Sequence, residues 1–146
     1  MAKIRLTESA FRSVMDNLRE IEDRKAQIME ENYLKNTREN QVIVSLLNNY
    51  LQLMRKTVSS IVIDPNSDNE FPFVAIGCQV TIEDLSNSNI FCYKIIPPFS
   101  ENIEIDQVSI FSPLGKALLM KQRGESICIQ APGGKFWYKI LSISYW

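Results

Sequence analysis

The chain has 146 residues, of which 45% are apolar and 23% charged, and its formal net charge is −1. That apolar share supports a packed core and excludes an intrinsically disordered chain; the near-neutral charge excludes the basic bias of a protein that grips nucleic acid directly. There is no histidine, which removes Ser-His and Cys-His nucleophile pairs, imidazole bases and the usual zinc sites.

No stretch reaches the roughly 18–20 uninterrupted apolar residues of a membrane helix. The opening run M-A-K-I-R-L-T-E meets charge too soon for a signal peptide. A cytoplasmic protein without membrane contact is therefore expected. No phosphate-binding glycine loop and no C-x-x-C pair is present, so no metal and no cofactor is expected.

Residues 8 to about 60 contain neither glycine nor proline, and their apolar spacing is helical. Phe11, Val14, Leu18, Ile21, Lys25 and Ile28 step by three and four residues, a heptad seam interrupted once at Lys25. Thr7 is the candidate N-cap. Residues 31–40 hold three Asn and four charges and read as a reversal between two antiparallel arms. The returning helix is expected over about 37–59. Nine of the thirteen residues from Val42 to Met54 are apolar, more than one seam uses. A second covering surface is expected, and Leu46, Leu51 and Leu53 are the candidates for self-association as a homodimer through the hairpin.

Residues 64–72 combine two prolines with polar turn formers and read as a linker. Beyond them the period becomes two. Strands are expected at 73–76, 79–83, 90–96, 107–111, 126–131 and 136–144, with turns at 84–89 and 132–134. One helix interrupts, with Ser112 as N-cap, Pro113 in the first turn and a stop near Gly124. Cys78, Cys92 and Cys128 lie in strand-like sequence and read as reduced thiols. The whole is an α+β chain: a helical hairpin over 1–63, a linker over 64–72 and a sheet domain over 73–146.

Several motifs occur in a specific order. They are S-P-L-G-K-A-L-L at 112–119, G-E-S-I at 124–127 and A-P-G-G-K at 131–135, preceded by G-C-Q-V-T-I-E-D-L at 77–85 and Y-K-I at 93–95. Together with the closing run at 140–145, these resemble the C-terminal domain of the Gre family of bacterial transcription factors. The resemblance implies an antiparallel helical hairpin (coiled coil) followed by an FKBP-like antiparallel β domain with one short helix. It implies bacterial RNA polymerase as partner, with nucleic acid met only indirectly through the elongation complex. In the family the globular domain docks at the secondary channel, which assigns docking to Ser112, Pro113, Leu114, Gly115 and Lys116. Acidic residues at the hairpin tip help the polymerase cleave its own backtracked transcript.

The tip here departs from that pattern. The family's G-D-L-x-E-N-A-E-Y run is missing, and E-E-N-Y-L-K-N-T-R-E at 30–39 lacks its glycine and its Asp-x-x-Glu spacing. Glu30, Glu31 and Glu39 are the only carboxylates there to hold a hard cation and a water. The expected function is an accessory factor, itself no enzyme, that binds polymerase with weak or no cleavage stimulation. The alternative is a genuine cleavage factor using Glu30 and Glu31. A remote alternative is a peptidyl-prolyl isomerase built on Phe91, Tyr93, Phe99, Phe111, Phe136, Trp137 and Tyr138, although strand alternation should send many of these to opposite faces.

Overall fold

The computed structural model describes residues 3–33, 38–97, 100 and 103–145; within its helices the side chains at 28, 29, 31–33, 39 and 40 are outside the described set. Strand β1 (Ile4–Leu6) leads into helix α1 (Glu8–Tyr33). The Thr7 hydroxyl accepts from the Ala10 N–H at 3.3 Å and its carbonyl from the Phe11 N–H at 2.9 Å, so Thr7 caps α1 as expected. Helix α2 (Arg38–Val58) returns alongside, tied across by Arg55 to Glu22 at 2.8 Å. Val14, Leu18 and Ile21 of the seam are buried, while Phe11 and Lys25 are half-buried. The Ile28 side chain lies outside the described set; of the segment 31–40 expected to reverse the chain, residues 31–33 and 38–40 are helical and 34–37 lie outside the described residues.

Strand β2 (Ile61–Ile63) pairs in parallel with β1, a pairing that the periodicity does not announce. It ties together the two ends of the hairpin at its base. Three residues are too few for an alternating pattern, and the partner lies beyond the whole hairpin.

The second sheet has strand order β5-β4-β3-β7-β6, from β3 (Cys78–Asp84), β4 (Ile90–Ile96), β5 (Gln107–Ser109), β6 (Ser126–Ala131) and β7 (Gly134–Tyr145). All pairings are antiparallel except β4 with β5. Strand β3 alternates buried and half-buried residues throughout, with Cys78, Val80, Ile82 and Asp84 facing inward. A bulge opposite Thr81 and Ile82 places Leu141 as an extra residue in β7, which bends the long strand. Pro132 and Gly133 make the two-residue turn of the β6–β7 hairpin.

One expectation needs correction. Residues 73–76 form no strand; they are an irregular segment buried by its apolar side chains, held by main-chain bonds from the Val74 N–H to Lys121 O and the Met120 N–H to Val74 O, both 2.8 Å. Four consecutive apolar residues imitate a buried strand when periodicity is the only guide. Residues 64–72 are firmly bound to both halves. The Phe71 N–H donates to Ile143 O at 3.1 Å, the Tyr145 N–H to Asn69 O at 2.8 Å, and the Ser67 hydroxyl to Arg5 O at 2.6 Å. Phe71 is buried, with its ring 5.4 Å from Tyr145 and 5.2 Å from Phe73. Hairpin and sheet consequently share one apolar core, in which Leu6, Val14, Leu47, Leu51 and Met54 meet Phe71, Phe73 and Ile76.

Candidate functional site

Helix α3 (Pro113–Leu118) carries the most specific sequence motif. The Ser112 hydroxyl accepts from the Gly115 N–H at 3.1 Å and donates to Ser109 O at 2.7 Å, so this residue caps the helix and ties it to the preceding turn. Gly115 is buried against that turn, where an added Cβ would collide with the Ser109 carbonyl oxygen. Leu118 is fully buried and Leu114 half-buried on the core. Of the five docking candidates, Ser112 and Gly115 thus build the helix and seat it, Leu114 packs it, and only Pro113 is exposed. Lys116 is half-buried in the last turn. The helix ends at Leu118 with Met120 at φ 67°, earlier than the sequence suggests.

Beside α3, the inner sheet face continues past the closed core into an open aromatic surface. Phe91 and Tyr93 stack with ring centroids 6.2 Å apart. Their spacing of two puts them on the same face as buried Ile95. Phe136 and Tyr138 share a face with buried Ile140 and stand opposite Ile129 and Ile127 in β6. Tyr93, Phe111, Leu114, Ile129 and Tyr138 are half-buried against the core, and Phe91 and Phe136 are each 38% exposed. This corrects the expectation of scattered aromatics: only Trp137 lies on the outer face of β7, and Phe99 is outside the described residues. Residue parity within β4 and β7 carried the signal, but only the register shows that the pairs converge.

A buried carboxylate borders this surface. The buried Asp84 carboxylate accepts from the Ser86 N–H at 2.9 Å and hydroxyl at 2.7 Å, and it lies opposite Tyr138 in the β3–β7 pair. Burial, with Asp84 and Tyr93 beside it, raises the pKa of the Tyr138 hydroxyl. Tyr138 therefore offers a neutral hydroxyl able to donate or accept.

At the other end of the molecule, Glu30 is exposed in the final turns of α1. The side chains of Glu31 and Glu39 lie outside the described residues. Among the described residues, no group of three or more His, Cys, Asp or Glu could hold a metal ion, and no helix is long and apolar enough to cross a membrane.

The self-association candidates divide differently from the expectation. Leu51 is fully buried within the chain, and Leu46 and Leu53 pack partly on the same core, which leaves Val42 as the apolar residue of this helix most open to solvent, at 53%. Toward the rest of the chain, α2 buries Tyr50, Leu51 and Met54 in the cluster that holds Phe71 and Ile76, with the Ile76 N–H donating to the Tyr50 hydroxyl at 2.9 Å.

Hairpin and sheet together make a rod rooted in a domain that presents an open apolar face. The family model for "Transcription elongation factor, GreA/GreB, C-term" matches residues 68–145, and the chain belongs to that family. "Transcription elongation factor GreA" of Thermodesulfovibrio yellowstonii is 35% identical over 94 residues, 64% of this chain and 59% of that protein. The GreA of Methylococcus capsulatus is 32% identical over 94 residues, 64% of this chain and 60% of its own length. The chain thus spans about half to three fifths of the length of the curated relatives it matches. A solved GreA/GreB structure from Nitrosomonas europaea has the same fold, with TM-score 0.56 at 17% identity over 98% of this chain and 100% of that one.

Proposed function

We propose that this chain binds bacterial RNA polymerase through its sheet domain and directs its helical hairpin into the secondary channel, with little stimulation of transcript cleavage. The observation that carries the reading is the family match over 68–145, which includes α3 and the open aromatic face. Pro113, Lys116, Phe91 and Phe136 are the docking residues, an apolar patch with a cationic neighbour of the kind that seats a partner protein. In this reading the factor is an accessory to another enzyme's active site and meets nucleic acid only through the elongation complex.

Weak cleavage follows from the tip sequence. A metal-assisted attack needs carboxylates held to within an ångström, and the 30–39 run lacks the family's spacing. The test is a stalled, backtracked elongation complex incubated with the native chain or with Glu30→Ala/Glu31→Ala. Cleavage near the factor-free rate with both proteins supports the proposal. Strong cleavage abolished by the double substitution would instead establish a genuine cleavage factor.

A further inference from the structure

Two buried tyrosine hydroxyls meet at one residue between hairpin and sheet. The Ile76 N–H donates to the Tyr50 hydroxyl of α2 at 2.9 Å. The Ile76 carbonyl accepts from the Tyr145 hydroxyl of β7 at 2.8 Å. Asn17 of α1 completes the set, its Nδ2 donating to the same Tyr145 hydroxyl at 2.7 Å. The Ser13 carbonyl of α1 also lies 3.5 Å from the Tyr145 hydroxyl, so both arms of the hairpin make directed contacts that end on the Ile76–Tyr145 pair. Gly77 (φ +102°) makes room, since a Cβ there would collide with the Tyr145 hydroxyl and approach Asn17 Nδ2.

We infer that Asn17, Tyr50 and Tyr145 form an orientation lock that fixes the angle of the hairpin relative to the docking domain, making them positioning residues for the tip. The shared apolar core holds the two halves together, but burial of apolar surface is non-directional and tolerates rotation. Hydrogen bonds between buried groups are directional, and breaking one in the dry interior leaves a polar group without a partner. A movement that carries either arm away from the Ile76–Tyr145 pair breaks the Tyr50 bond, the Asn17 bond or both. The Asn69 bond to the Thr7 N–H and the Ser67 bond to Arg5 O hold only the foot of α1 and strand β1, whereas Asn17 and Tyr50 lie farther along their helices.

The functional side of this inference rests on the proposed polymerase reading, while the lock itself can be tested on the free protein. Nitroxide labels at Asp23→Cys on α1 and Gln130→Cys on β6, in a Cys92→Ser/Cys128→Ser background, report the angle as a distance distribution. The lock requires a single narrow distribution in the otherwise native chain and a clearly broader one in Asn17→Ala/Tyr50→Phe. If that double variant does not fold, Asn17→Ala alone decides, because it leaves the Ile76 bonds intact. An unchanged narrow distribution in the folded variant overturns the lock. With polymerase, the unlocked variant should keep its affinity within about twofold and lose most of its effect on transcription. Equal loss of affinity and effect would overturn the positioning role. A native chain that does not bind polymerase would sink the polymerase reading and leave the distance result to judge the lock.

Discussion

The Asn69 side-chain oxygen accepts from the Thr7 N–H at 2.8 Å, while the Asn69 carbonyl accepts from the Tyr145 N–H at 2.8 Å. One residue thereby joins the start of α1 to the end of the last strand. Its φ of 63° is the left-handed conformation that asparagine accepts more readily than other non-glycine residues. Asn69→Ala should cost about 1–3 kcal/mol, from the stranded Thr7 donor and the backbone strain together. Urea denaturation followed by circular dichroism measures it, and a loss near zero would show that this corner is not structural.

Gly115 and Ser112 should separate packing from capping. Gly115→Ala drives a methyl into the Ser109 carbonyl, so a loss of about 1–3 kcal/mol is expected from overpacking. Ser112→Ala removes one cap and should cost about 1 kcal/mol. Thermal melts of the two variants check the order; the reverse order would mean that α3 is not pinned to the 109–110 backbone.

On α2, Leu51→Ala should cost about 2–5 kcal/mol, as a fully buried leucine does, whereas Val42→Lys should stay within about 0.5 kcal/mol. Sedimentation of the native chain at micromolar concentration should give a monomer, since Leu51 is fully buried in its own core and Leu46 and Leu53 pack partly on it. A dimer that Val42→Lys dissociates would contradict this.

Alkaline pH should loosen the same core. Burial pushes the Cys78 thiol from 9.0 up to about 12, with the Ala75 backbone bond opposing part of the shift. Burial also raises the hydroxyls of Tyr50 and Tyr145 above 10.0, further supported at Tyr50 by neighbouring Tyr145 and opposed at Tyr145 by the Asn17 bond. The folded chain then keeps protons that the unfolded chain releases, so the unfolded state binds fewer and stability falls as pH rises. The contribution is whole below about pH 9, where the unfolded thiol begins to titrate, and that of Cys78 is lost by about pH 12. Denaturation midpoints measured from pH 7 to 11 should be level to about 9 and then decline. Cys78→Ala should flatten the first part of that decline, and a rising midpoint would contradict the assignment.

Much of this architecture was legible in the sequence, and the gaps have physical causes. The bounds 90–96 and 126–131 agree with β4 and β6 because alternation there is flanked by clear turn residues. The hairpin was legible because a long segment without Gly or Pro keeps a helical period. The bonding of 64–72 was not, since the polar residues that mark a connecting segment are the same ones that form local side-chain bonds. Asp64 accepts from the Asn66 N–H and Ser67 from the Asn69 N–H, both at 3.0 Å. Within the site, the Ser-Pro start of α3 was readable as a cap. The convergence of the aromatic pairs and the tyrosine lock depend on residues far apart in the chain, Asn17 and Tyr145 above all, and local spacing shows only which residues of one strand share a face.

The most direct test of the central claim is binding of the full chain to bacterial core RNA polymerase, measured by pull-down and then by competition with an authentic cleavage factor. The account predicts saturable binding that the competitor displaces, weakened at least tenfold by Phe91→Ala/Phe136→Ala in a variant that stays folded. A folded native chain that shows no binding, or binding that the competitor leaves untouched, would contradict it.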